Sequence, residues 1–227
     1  MFSDDIIMRQ IILLFALFVG AASAKAQNLL AISGVQGSAG VGFTEFNVQS
    51  PKSDIRFDRG FYLTAAGEKG FNVANLYLTI SLGYMDAKGT AKYDYSNLSS
   101  SNHYQVNDVA FRARMIELGL GLKMKLIDNY WFRPYIEGGG IGSWNQLNYT
   151  SKSQEMAAFG SDYKTEDTMV GSGYYGEAGI EAQFSERFGV KLAARLSQMK
   201  TRSVETLGEQ KLKYQGQTFY LSALLGF

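Results

Sequence analysis

QGQTFYLSALLGF, residues 215 to 227, is the stretch whose reading decides the fold. Counting back from Phe227, every second position is apolar: Leu225, Ala223, Leu221 and Phe219. The positions between them, Gly226, Leu224, Ser222, Tyr220, Thr218 and Gly216, are mostly small or polar. Side chains of a β-strand alternate between two faces, so this is a strand with one apolar and one mixed face. An aromatic ring closes the apolar face at each end. An unpaired apolar edge at the end of a soluble chain invites aggregation, so a closed sheet is the simpler expectation.

The same period recurs upstream. Gly34 to Phe46 places Val35, Gly37, Ala39, Val41 and Phe43 on one face, and Phe57 to Gly67 places Phe57, Phe61, Leu63 and Ala65 together. In the third segment Leu76, Leu78, Ile80, Leu82 and Tyr84 alternate with Tyr77, Thr79, Ser81 and Gly83. The fourth sets Ile116, Leu118, Leu120, Leu122, Met124 and Leu126 against Glu117, Gly119, Gly121, Lys123 and Lys125. Upstream of it the apolar residues Phe111, Ala113 and Met115 are odd-numbered, which predicts a bulge near Met115. The fifth, Phe132 to Trp144, contains Pro134 and Gly138-Gly139-Gly140, a composition that argues against a central soluble strand. The sixth carries Tyr174, Ala178, Ile180, Ala182 and Phe184 opposite Glu177, Gly179, Glu181 and Gln183. The seventh carries Phe188, Val190, Leu192, Ala194 and Leu196 opposite Lys191, Ala193, Arg195 and Ser197. Short connections follow the second, fourth and sixth segments (residues 72–74, 127–130 and 185–187), and long polar ones occupy 47–56, 86–108, 146–168 and 199–212. Tyr130, Trp131, Phe184, Phe188 and Phe227 lie towards the short turns, while Phe43, Tyr84, Trp144 and Phe219 lie towards the long connections.

Eight alternating strands with short turns at one end, long loops at the other and two aromatic girdles resemble the small eight-stranded bacterial outer-membrane β-barrels. The resemblance covers residues 27–227 and implies an all-β, eight-stranded antiparallel up-and-down transmembrane β-barrel, preceded by a cleavable signal peptide. It implies a bacterial outer-membrane location, with outer-membrane lipid, lipopolysaccharide and the barrel-assembly machinery as partners. A closing aromatic, here Phe227, is part of the assembly signal in that superfamily. A monomer is favoured, and no cofactor is implied. The rival fold is a soluble eight-stranded barrel of lipocalin type, with its apolar face inward. Glycine on the polar face (Gly83, Gly119, Gly121, Gly179), aromatic banding of the apolar face and the ending at Phe227 favour the membrane form.

At the other end, Ile11 to Val19 reads IILLFALFV and is followed by Ala22-Ser23-Ala24 and Ala24-Lys25-Ala26, the pattern of a signal-peptide h-region and small-residue cleavage sites. We expect residues 1–26 to be the signal peptide. Asp4 and Asp5 stand where positive charge is expected, whereas a start at Met8 gives Met8-Arg9-Gln10, the expected order.

Composition removes several function classes. Twenty-two basic residues against 21 acidic ones imply no nucleic-acid partner, and the absence of Cys excludes disulfides and thiolate metal sites. The polar faces of segments four to seven hold Glu117, Lys123, Lys125, Glu137, Glu177, Glu181, Lys191 and Arg195. Paired carboxylates serve general acid–base or metal chemistry elsewhere. Here the matched bases make a structural ion network the simpler expectation. In the hairpin of segments six and seven, the tight turn puts Glu177 opposite Arg195 and Glu181 opposite Lys191. His103, the single His, follows Ser99-Ser100-Ser101-Asn102 in a polar stretch. A Ser/His pair is one signature of nucleophilic catalysis, but no orienting carboxylate is evident. The expected function is a non-enzymatic barrel that anchors surface-exposed loops, supporting envelope integrity or attachment. The alternatives are a narrow pore or lateral route for small hydrophobic molecules, and a lipid-modifying enzyme.

Overall fold

The structure, a computed structural model, describes residues 35–50, 53–71, 75–96, 103–127, 131–149, 166–185, 187–201 and 212–226. Residues 1–26, with the Met8 start, and Phe227 lie outside the described residues.

The alternating segments are strands β1 (Val35–Ser50), β2 (Ser53–Gly70), β3 (Leu76–Ser96), β4 (His103–Lys125), β5 (Phe132–Tyr149), β6 (Glu166–Gln183), β7 (Phe188–Thr201) and β8 (Lys213–Gly226). Each pairs antiparallel with the next, and β8 pairs with β1, so the sheet closes on itself. Closure satisfies every strand edge, the condition for β-structure in hydrocarbon. The carboxy-terminal stretch does this directly: Phe219 faces Phe43, Leu221 faces Val41 and Ala223 faces Ala39 across the seam. At the short-turn end, Asn75 takes φ 52°, a left-handed conformation that Asn tolerates, and Phe71 N–H donates to the Leu76 carbonyl at 2.8 Å. In the β6–β7 turn, Phe184 N–H donates to the Phe188 carbonyl at 2.9 Å, fixing Glu177 opposite Arg195 and Glu181 opposite Lys191.

The apolar faces point out and the charged faces in. Leu118 is 60% exposed while Glu117, beside it on β4, is 4% exposed. The soluble alternative, with apolar residues inward throughout, is thereby excluded for this part of the barrel. Inward glycines make room for rings. A Cβ on Gly83 would approach the Tyr62 hydroxyl to 2.7 Å, and one on Gly179 would approach the Tyr135 hydroxyl to 2.5 Å.

Three sequence expectations need correction. No bulge lies near Met115: β4 pairs with β3 in one register from Met124 through Val109, and the shift falls between Ala91 and Tyr93 of β3. Phe111, Ala113 and Met115 are buried on the same inward face as Glu117 and Lys123. The apparent change of parity is a change of solvent: above Ile116 the outward residues turn polar (Arg114, Arg112) and the inward ones apolar. Second, Phe57 does not share a face with Phe61. A register shift between Asp58 and Phe61 lets Phe57 turn inward, 1% exposed, while Phe61 stays outside at 51%. Third, the long polar connections 47–56 and 86–108 are largely strand. β1 runs to Ser50 and β2 starts at Ser53, and β3 and β4 reach Ser96 and His103. Both outward and inward faces change character there, so a search for a continuous apolar face ends too early.

The inversion occurs at one height around the barrel. Outward Phe43, Phe61, Tyr84, Trp144, Tyr174 and Phe219 form the upper aromatic girdle, and Glu45, Arg59, Asp86, Gln146, Ser172 and Gln217 follow directly above them. Below the girdle the molecule is inside-out; above it, it is built like a soluble barrel. Its upper core packs Phe46, Val48, Phe57, Phe111, Met115, Leu147, Met169, Met199, Leu212 and Tyr214. Phe46 stacks on Phe57 with centroids 4.4 Å apart. At about 3.3 Å per residue and a tilt of about 40°, the outward apolar run Ile116–Leu126 rises about 25 Å, matching the apolar band of such barrels. By the same arithmetic, His103–Met115 carries the wall about 30 Å further.

Candidate functional site: the charged interior

Five acids and four bases are buried inside the lower barrel: Glu68, Glu117, Glu137, Glu177 and Glu181 with Lys123, Lys125, Lys191 and Arg195. All come from inward positions, eight of them beside apolar or Gly residues on the lipid face and Glu68 between Gly67 and Lys69 near the short turns, so strand alternation delivers them to one lumen.

They fall into two layers. Nearest the short turns, Lys123 and Lys125 on β4 share the carboxylates of Glu68 on β2 and Glu181 on β6. Lys123 Nζ bonds Glu68 and lies 2.6 Å from Glu181 Oε1. Lys125 Nζ lies 2.9 Å from Glu68 Oε1 and 3.1 Å from Glu181 Oε2. Alternating charges at these separations form a closed square spanning the lumen. Lys125 also sits 4.0 Å above the Tyr77 ring and Lys123 4.4 Å from the Tyr135 ring, so the lysine charges are faced by aromatic π-clouds as well.

The second layer centres on Glu177. Arg195 Nε donates to its Oε2 at 2.9 Å, Lys191 Nζ lies 2.9 Å from Oε1, and the Tyr135 hydroxyl donates to Oε1 at 2.7 Å. Arg195 lies over the Tyr175 ring at 4.1 Å, and its Nη1 is 3.8 Å from Glu117. Glu137 accepts from the Tyr175 hydroxyl at 2.6 Å and from Thr79 at 2.7 Å. Each buried carboxylate therefore meets a cation or a hydroxyl, the condition under which charge is tolerated in a low-dielectric interior.

All eight charged residues singled out from the sequence stand in this interior. Their partners were not all foreseen: Glu68, Tyr135 and Tyr175 complete the network, with Tyr62, whose hydroxyl accepts from Arg195 Nη1 at 3.3 Å, and Tyr220, whose ring lies 5.3 Å from Lys191 Nζ. Glu68 was legible in principle, because it shares the even-numbered face of β2 with Tyr62 and Thr64. Placing Phe57 with Phe61 left that face unread. The acids exceed the bases by one here, where the sequence count balanced four against four. His103 is the first residue of β4, opposite Ser96 of β3, rather than part of a loop. Among the described residues no group of three His, Cys, Asp or Glu could hold a metal ion.

A cavity of about 840 Å³ is lined by one row of register partners, Tyr175, Ser197, Gly216, Phe46 and Phe57, with residues flanking them on the same strands. Ser197 and Gly216 leave this row short of side-chain volume.

Comparison with known proteins places the chain. Similar solved structures include Neisserial surface protein A, at 13% identity and TM-score 0.49, covering 86% of this chain and 98% of that one. The outer membrane protein OprG of Pseudomonas aeruginosa has 13% identity and TM-score 0.49, covering 86% and 97%. The attachment invasion locus protein of Yersinia pestis has 10% identity and TM-score 0.43, covering 85% and 99%. No curated protein sequence matches the chain. The family model for the outer membrane protein beta-barrel domain matches residues 11–227. With its closed eight-stranded wall, lipid-facing apolar band and charged interior, this chain belongs to the outer membrane protein beta-barrel domain family of the bacterial outer membrane.

Proposed function

We propose that this chain is a non-enzymatic anchor that holds surface-exposed segments above the outer membrane, supporting envelope integrity or attachment. The long-strand end then faces the cell exterior and the short turns the periplasm. The observation that carries this reading is the filling of the lumen at two heights: an ion network at membrane level and an apolar core above it. The strands that continue past the upper girdle give the surface segments a rigid base. The proposal predicts no unitary conductance from the purified barrel in planar bilayers. It also predicts that loss of the protein alters surface adhesion or detergent sensitivity of intact cells. Steady conductance, or a null strain indistinguishable from wild type in both assays, would count against it.

The cavity beside Ser197 and Gly216 favours a second reading, a narrow pore or lateral route for small hydrophobic molecules. Uptake of a hydrophobic dye that falls when Gly216 is replaced by Leu, with the barrel still folded, would select that reading over the anchor.

A further inference from the structure

Above the upper girdle, sulfur collects inside the barrel. Met85 on β3, Met115 on β4, Asn145 on β5 and Met169 on β6 are consecutive register partners, so four adjacent strands send one row of side chains into the upper core. Met199 on β7 joins the three methionines in the same buried cluster. Among the described residues only Met124, on the lipid face, is a methionine outside it. The Tyr214 hydroxyl, on β8, donates to Met169 Sδ at 3.6 Å, so this sulfur faces across the lumen. Methionine commonly fills irregular gaps in apolar cores, and packing alone would account for the thioethers. It does not account for Asn145. That residue is 3% exposed, and its amide nitrogen donates to Ser143, but its carbonyl oxygen Oδ1 has no hydrogen-bond partner. An orphaned buried acceptor costs free energy, and this one stands between Met115 and Met169 in the row.

We propose that the upper core binds a soft monovalent metal ion, copper(I), through its thioether sulfurs, with the Asn145 carbonyl as a further, weaker donor. Thioethers are neutral, polarisable donors that select Cu(I) over harder divalent cations, and an amide oxygen can serve as a long axial ligand beside sulfur. Charge favours the same ion. The five acids and four bases of the lower interior leave one formal negative charge, which a single positive charge above them neutralises. The cavity adjoins the cluster: Ser197, which lines it, is two residues from Met199 on the same face of β7. The inference does not depend on whether the chain acts as an anchor.

Purified full-length protein folded in detergent micelles and chloride-free buffer, titrated with Ag(I) as a redox-stable stand-in for Cu(I), tests it by native mass spectrometry. The wild type should take up one ion per barrel and should not take up Zn(II). Met115→Leu/Met169→Leu, which nearly conserves volume, should bind at least about tenfold more weakly, a loss that removal of even an outer-shell partner brings. Met124→Leu and His103→Asn should leave binding unchanged. Thioethers carry no proton to lose, so affinity should be the same at about pH 5 and about pH 7, unlike that of a histidine site. A wild-type barrel that takes up no Ag(I), or takes up Zn(II) as readily, would overturn the proposal. So would full affinity in a Met115→Leu/Met169→Leu variant that migrates as a folded, heat-modifiable barrel, or loss of binding in His103→Asn.

Discussion

Replacing Glu177 by Gln should destabilise the barrel more than any other single isosteric change in the wall. Among the described residues Glu177 carries the only negative charge within hydrogen-bonding distance of Arg195 Nε, at 2.9 Å, and it also meets Lys191 Nζ at 2.9 Å. A Gln at this position keeps one acceptor for Tyr135 but turns an amide N–H towards one of two buried cations. Arg195 retains Glu117 at 3.8 Å, a partial compensation. Leaving a buried charge uncompensated costs about 3–5 kcal/mol, and with two cations affected we expect about 4 kcal/mol in this range. The four charges in mutual contact, Glu117, Glu177, Lys191 and Arg195, sum to zero, while Glu137 is held by the Tyr175 and Thr79 hydroxyls, so removing one acid and one base together restores neutrality within the contacting set. Glu177→Gln/Lys191→Met should therefore be more stable than the sum of the two single effects by about 1.5–3 kcal/mol, within the range of couplings between contacting residues. Urea titration of barrels folded into lipid vesicles, read by the gel shift between folded and unfolded forms, measures each variant. A Glu177→Gln loss below about 1 kcal/mol would mean that water reaches this layer and would refute the dry-network argument.

Other consequences are checked the same way. Phe57→Ala removes a ring 1% exposed and stacked on Phe46, and should cost about 3–5 kcal/mol, well above Phe61→Ala on the lipid face; similar losses for the two would restore the single-face reading of β2. Gly121→Ala would drive a Cβ into the Tyr175 hydroxyl and to 3.0 Å from Thr79 Oγ1, displacing both donors from Glu137, with an expected cost of about 1–3 kcal/mol in the same titration. Deleting Phe227 should leave the chain unassembled in the periplasm; a normal yield of heat-modifiable barrel in the outer membrane would remove that residue from the assembly signal. Single Cys at Tyr95 should react with an impermeant reagent on whole cells and single Cys at Asp128 should not; the reverse pattern would invert the barrel.

Strand number, the orientation of the lower faces and the register of the β6–β7 hairpin were legible in the sequence, because hydrocarbon outside and charge inside impose a sharp period of two. The β4 pattern from Ile116 to Leu126 is an example: every outward residue is apolar and every inward one is Gly, Glu or Lys. The upper wall was illegible for the same reason. There water replaces lipid, so Arg112 and Arg114 point out and Phe111 and Met115 point in, and an unbroken strand reads as a bulge. Phe57 was misplaced because a one-residue register shift between Asp58 and Phe61 changes the face, although the two rings stand an even four positions apart in sequence. The eight charged residues were found because they alternate with long apolar runs. Glu68 was missed because β2 carries no such run beside it, and the tyrosines Tyr175, Tyr135 and Tyr62 because their hydroxyl partners lie 38, 42 and 133 positions from them in sequence, across the lumen rather than along a strand.

The central claim is that the wall inverts its polarity at the upper girdle, with lipid below and water above. Single tryptophans report this directly when the native Trp131 and Trp144 are replaced by Phe and vesicles contain lipids brominated at chosen acyl positions. Trp at Leu120, in the middle of the outward apolar band, should be quenched most strongly by bromines deep in the acyl chains. Trp at Gln198, outward but two residues above Leu196 on β7, should be quenched little by any of them. Leu120→Trp fluorescence indifferent to bromine depth, or Gln198→Trp quenched as strongly as Leu120→Trp, would contradict the account.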